Sequence, residues 1–272
     1  MRIARVFPTK TNFCPDDQDA YFGPPNLFTP KYDEIHISIS FTWAIEKAYW
    51  LKKQWERIGK VKIGGPALGD PGGEFIPGRY LKRGVVITSR GCPNNCPWCF
   101  VPKREGKLRE LEVKEGNIIQ DNNLLACSKN HLRKVFKMLS KQKQINFSGG
   151  LEALRITDEI VEILRGLSIY QLWLAYDHSQ AEKPLRKAVN KLKKYFRRDQ
   201  IRCYVLIGYG DDTIEKAEIR LRKAWRIGTL PFAMLYRDEK GSIPSKEWQR
   251  FQRLWTRPAI IKSRMRLNRD LI

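Results

Sequence analysis

Apolar and polar positions follow two different rhythms along this chain, and the change falls near residue 84. Residues 33–41, Asp-Glu-Ile-His-Ile-Ser-Ile-Ser-Phe, alternate strictly, which predicts a half-buried strand. Residues 44–58 then place Ile45, Ala48, Leu51, Trp55 and Ile58 on one helical face. Residues 2–7 and 60–66 read as strands, the second ending in a Gly-Gly-Pro turn. Pro8, Pro15, Pro24, Pro25 and Pro30 predict little regular structure over 8–32, and 66–83 is a Gly- and Pro-rich loop. The first 84 residues are therefore expected to form a small β-α-β unit, a Rossmann-like cap.

Beyond residue 84 the strand-like runs lose their alternation and helical runs separate them. Strands are predicted at 85–89, 117–121, 145–148, 171–176, 201–207 and 230–235. Helices are predicted at 129–139, 157–167, 181–196 and 213–227. Alternation of this kind predicts parallel β/α units, an α/β fold. Residues 85–243 are expected to form one domain and 244–272 a basic helical segment. In that segment Trp248, Phe251 and Trp255 recur at helical spacing, which favours a core-facing stripe over a stacking platform.

Charge changes the picture most. The 272 residues include 51 basic and 29 acidic side chains, a net +22. Of this, +18 lies in 85–272, since 1–84 holds 13 basic and 9 acidic residues. Residues 129–143 carry six basic side chains and 183–198 carry eight, neither with an acid. Such a balance fits a nucleic-acid partner or a solvated, lysine-rich surface. No apolar run approaches about 18 residues, so no membrane span is predicted. The first eight residues are too interrupted for a signal peptide, and a cytoplasmic location is expected.

Directly after the apolar run 84–88 comes Ser-Arg-Gly-Cys-Pro-Asn-Asn-Cys-Pro-Trp-Cys-Phe. Cys92, Cys96 and Cys99 stand at C-x3-C-x2-C spacing on a loop leaving a strand. Three thiolates on one short loop suit an iron–sulfur cube with one iron left open. A zinc knuckle or structural thiol cluster is the alternative, but zinc normally takes four ligands, and only His36, His131 and His178 stand elsewhere. Cys14, Cys127 and Cys203 are scattered and form no second ligand set.

The strand before the loop, the Arg-Gly-Cys lead-in, the spacing and the aromatic residue between the last two cysteines resemble the radical S-adenosylmethionine (SAM) superfamily. The resemblance implies a partial (β/α)6 barrel and a 4Fe-4S cluster held by Cys92, Cys96 and Cys99. It implies SAM as the second cofactor, cleaved by one-electron reduction to a 5′-deoxyadenosyl radical, and an external electron donor such as flavodoxin or ferredoxin. The 1–84 unit loosely resembles a truncated cobalamin-binding domain. It lacks an Asp-x-His-x-x-Gly motif, so a lid or substrate-recognition cap is expected over a cobalamin site.

Barrel chemistry sits at the C-terminal ends of strands. There Gly149 and Gly150 match the family's Gly-Gly-Glu, but Leu151 displaces the acid to Glu152. An ordinary tight turn is the other reading. Asp177 is the resemblance's candidate for the SAM ribose, or a helix cap. Gly208 matches the strand-five glycine beside which adenine stacks; Asp212 or Thr213 could cap the following helix, and Leu235 could pack on adenine. Asp121 and Asn123, polar groups at the end of the second barrel strand, are expected substrate contacts.

The resemblance therefore implies a radical SAM enzyme, with a nucleic acid such as tRNA as the substrate that the charge favours. A small metabolite or a peptide is the alternative substrate. A non-catalytic iron–sulfur or zinc protein that binds nucleic acid is the alternative from another class.

Overall fold

A computed structural model describes residues 1–70 and 72–267. Pro71, in the 66–83 loop, and residues 268–272 of the C-terminal segment lie outside the described residues. The chain divides into two compact units. The first comprises 1–122, 127–138 and 238–242; the second comprises 123–126, 139–237 and 243–272. The first unit thus runs well past residue 84 and carries the cysteine loop, and the C-terminal helices belong to the second.

In the first unit, β1 (Ile3–Val6), β2 (Ala20–Tyr21), β3 (Glu34–Ser38) and β4 (Lys60–Gly64) form a parallel sheet in the order β2-β1-β3-β4. Helix α1 (Ile45–Trp55) joins β3 to β4, since parallel neighbours need a crossover. The alternation of 33–41 buries Ile35, Ile37 and Ile39 against Ala48, Leu51 and Trp55. The proline-rich 8–32 segment is tied into this core. The Trp55 indole donates to Gly23 O at 3.1 Å and packs edge-on against Tyr21.

The predicted strand 85–89 is interrupted. β5 (Val85–Val86) pairs in parallel with β8 (Ile118–Ile119), whereas β6 (Ser89–Arg90) pairs antiparallel with β7 (Arg109–Glu110). The break falls at Ile87 and Thr88 because the Thr88 N–H donates to a side chain, Asp121, instead of a strand. Helix α2 (Val101–Arg104) follows the cysteines, and α3 (Lys129–Leu139) has the predicted bounds.

The second unit holds β9 (Ile145–Phe147), α4 (Asp158–Arg165), β10 (Ile169–Tyr176), α5 (Glu182–Leu192), β11 (Ile201–Ile207), α6 (Ile214–Ile227) and β12 (Leu230–Leu235). The four strands are parallel and adjacent in sequence order. Thr157 and Thr213 cap α4 and α6, each accepting a backbone N–H three residues on. Helices α7 (Lys246–Leu254) and α8 (Pro258–Leu267) complete the unit. Phe251 and Trp255 are buried, as the aromatic stripe predicts, whereas Trp248 is only half-buried. The fold is α/β with parallel sheets. No helix among the described residues is long and apolar enough to cross a membrane.

Candidate functional site

The cysteine loop is built on a buried carboxylate. Asp121, 1 % exposed just after β8, accepts from the Thr88 N–H at 2.7 Å, the Thr88 hydroxyl at 2.6 Å and the Ser89 hydroxyl at 2.7 Å. Burial pushes its carboxyl up, against the pull of these three donors. His131 reaches the same Thr88 hydroxyl at 3.3 Å and stands 3.8 Å from Glu110 on its other ring nitrogen. Asp121 therefore fixes the residues that lead into the loop, with both of its oxygens accepting from Thr88 or Ser89.

Gly91 makes the turn off β6. Its φ is +75°, and a Cβ there would strike the carbonyl oxygens of Gly106 and Lys107, so the conformation and the close approach both demand glycine. Glu105 closes the loop from the far side. It accepts from the Gly91 N–H at 3.3 Å and the Asn122 amide at 2.7 Å, and lies 3.6 Å from the Arg90 guanidinium. Nothing in the sequence pattern marks Glu105 for this role, because its partners are set by the fold.

Between these anchors Cys92, Cys96 and Cys99 are half-buried, and none is in a disulfide. The Cys99 N–H donates to Cys96 O at 3.0 Å, which makes a tight turn between the last two thiols. The Asn94 N–H points at the Cys92 sulfur, 3.4 Å away, the kind of contact that tunes a metal-bound thiolate. Among the described residues no three His, Cys, Asp or Glu side chains converge closely enough to hold a metal ion, so the three sulfurs share the loop without meeting at one point. The chemistry of the donor set fits an iron–sulfur cluster: three reduced thiols on one short loop with an N–H aimed at sulfur. A four-ligand zinc site fits less well. His36 is bound to Tyr80 at 2.7 Å and Glu34 at 2.9 Å, and His131 to Thr88, so both rings are engaged elsewhere.

In the second unit, Gly149 and Gly150 form the turn after β9, and the space beside Gly150 is open. Leu151, at the acid's position in the resemblance, is 2 % exposed and donates its N–H to Trp173 O at 2.7 Å. Glu152 comes next. Its carboxylate accepts from the Asn123 amide at 2.8 Å and from Arg155 Nε at 2.7 Å. Asn123, 4 % exposed, thus orients Glu152 from inside. Asp177 is half-buried at the end of β10. The short turn 179–181 that follows has His178 at its N-cap, without a side-chain cap bond from His178.

Gly208 ends β11 with φ +74°, and a Cβ there would lie 3.0 Å from Leu235 Cδ1 and 3.6 Å from Trp248 Cδ2. Its N–H donates to Asp212 at 2.8 Å, and Arg220 forks onto that carboxylate at 2.9 and 2.6 Å. Leu235 and Trp248 therefore pack close against the Gly208 backbone. The sequence assigns Trp248 to the core with its stripe-mates, and only its half-exposure separates it from them. Of the other thiols, buried Cys127 and Cys203 are poor nucleophiles. Burial pushes Cys127 up to about 11 and Cys203 higher still.

No model of a known protein family matches the chain, and no curated protein matches it in sequence.

Proposed function

We propose that the chain is a radical SAM enzyme that modifies a nucleic-acid substrate. The observation that carries this reading is the loop: three cysteines at C-x3-C-x2-C spacing, none in a disulfide, between anchors set by Asp121, Gly91 and Glu105. Cys92, Cys96 and Cys99 would hold a 4Fe-4S cluster. When bound, the cluster supplies the electron that cleaves SAM to methionine and a 5′-deoxyadenosyl radical. A flavodoxin- or ferredoxin-like donor feeds it, in a reducing compartment.

In this reading β5, β8 and β9 to β12 are the strands of a partial (β/α)6 barrel. The Gly149-Gly150 backbone takes the SAM ammonium. Glu152 takes the acid's place while shared with Arg155 and Asn123. Asp177 accepts from the ribose hydroxyls, and the adenine stacks beside the Gly208 backbone with Leu235 against it. Residues 1–84, part of the first unit, would serve substrate recognition without cobalamin. The +22 charge supports the nucleic-acid substrate.

The test is anaerobic. The chain is reconstituted with iron and sulfide, SAM and a strong reductant are added, and 5′-deoxyadenosine is quantified by mass spectrometry beside a Cys96→Ala variant. Product from the wild type alone is expected. No product, with zinc bound in place of iron, removes the reading.

A further inference from the structure

Helix α5 ends at Leu192, and the turn that follows sorts its side chains sharply. Phe196 is tucked into the core, while Lys193, Lys194, Tyr195 and Arg197 face solvent, Tyr195 at 45 % exposure. Beside this turn lies a cleft of about 300 Å³ lined by Arg197, Arg198, Trp225, Lys262, Met265 and Arg266. The Arg198 guanidinium covers the Trp225 ring at 4.0 Å. Among the described residues the one acid lining the cleft, Asp199, accepts from Lys262 at 2.7 Å, so the carboxylate beside the three arginines is already paired.

The chemistry of this cleft is that of a phosphodiester. Guanidinium forks match phosphate oxygens in pairs, and the Arg198 guanidinium, stacked on Trp225, is held flat at the cleft wall. Its position selects a polymer. The cleft adjoins the N-terminal end of β11, whereas Gly150, Asp177 and Gly208 lie at the C-terminal ends of β9, β10 and β11. Seven strand residues separate the two ends, roughly 20 Å at about 3.3 Å per residue. A mononucleotide cannot span that distance, but a nucleic acid can. Lys193 and Lys194 extend the positive surface along the turn, where the Arg165 guanidinium lies over the half-exposed Tyr195 ring at 5.5 Å.

We infer that the cleft between α6, α8 and the turn after α5 binds the backbone of a single-stranded or looped nucleic acid. The inference rests on the proposed function only in calling that nucleic acid the substrate. Its test uses the chain without cluster or SAM, so a missing 5′-deoxyadenosine signal and missing binding are separate results.

Fluorescence anisotropy would compare a looped RNA hairpin, a single-stranded DNA and a duplex DNA across a salt series. The variant Arg197→Glu/Arg266→Glu changes two solvent-facing positions. Lys47→Glu/Lys53→Glu in the first unit makes the same charge change elsewhere. We expect the cleft variant to weaken hairpin or single-strand binding at least about 30-fold. It should also flatten the salt dependence by roughly 1.4 in log–log slope, about 0.7 per lost contact. The control should shift affinity less than about threefold, with both variants melting as the wild type does. Equal losses from both variants, no binding by the wild type, or duplex binding as tight as that of the looped RNA would overturn the inference. So would competition by anionic vesicles or polyglutamate as effective as by the oligonucleotides.

Discussion

Two aspartates each hold the end of a strand in this chain, and they do so by opposite means. Asp121 in the first unit is buried among a backbone N–H and two hydroxyls. Asp212 in the second unit grips the Gly208 N–H and is matched by the Arg220 fork. Asp212 is 6 % exposed and Arg220 19 %, so the pair is charge-neutral and one partner reaches water. The difference teaches which strand end is the more rigidly specified. Neutral donors around a buried carboxylate have no other acceptor, so losing it strands them all. In the second pair the partner left behind, Arg220, reaches water at its edge, which solvates part of its charge.

The largest expected effect comes from deleting each carboxylate. Asp121→Ala should lower the unfolding free energy by about 4 kcal/mol in urea titration, Asp212→Ala by about 2 kcal/mol. The reverse order would break the comparison. Asp121→Ala should also reduce iron loading on reconstitution, because Thr88 and Ser89 lead into the cysteine loop.

The glycines sharpen the same contrast. Gly91 and Gly208 have nearly the same positive φ, +75° and +74°, so their backbone penalties match. Their neighbours differ. An alanine at 91 meets backbone carbonyls, and one at 208 meets the end of the Leu235 side chain, which can move. Gly91→Ala should cost about 3 kcal/mol and Gly208→Ala about 1.5 kcal/mol. In the proposed function Gly208→Ala should in addition weaken SAM binding, read by equilibrium dialysis.

The smallest effects are in pH dependence. Asp121 is raised in the folded chain, so folding favours its protonated form. Its contribution to stability is full below the ordinary value of 3.8 and falls away as pH rises through the raised value. Asp121→Asn removes that titration, so the stability of the wild type relative to the variant should decline from about pH 4 upward. Glu34 has the opposite sign. Lys62 and His36 hold its carboxyl down to about 2 from 4.5, so its contribution is present above 4.5 and lost as pH falls toward 2. Glu34→Gln should flatten the acid limb of a denaturation profile over that window.

Local pattern carried much of the fold. The bounds of α3, β11 and β12 coincide with those predicted, since each is one unbroken apolar run or face with a capping or turn residue at its edge. Helix α5 ends four residues before its periodicity does, because the chain turns at Lys193 to bury Phe196. The site was legible as chemistry and less so as geometry. Cys92, Cys96 and Cys99 declare themselves by spacing. Asp121 and Asn123 read as polar groups at a strand end, but the structure turns both inward, one onto Thr88 and Ser89, the other onto Glu152.

Residue type and spacing by themselves determined the α/β alternation, the thiol loop and the excess of positive charge, because these depend on neighbours within a few positions. Tertiary structure alone decided the rest. Glu105 closes the cysteine loop against Gly91 and Asn122, Trp248 stands beside Gly208, and Arg197, Arg198 and Arg266 gather around Trp225. Each of these joins residues 14 to 69 positions apart in the chain. No local preference encodes such a meeting; it follows from which faces the sheets and helices bury together.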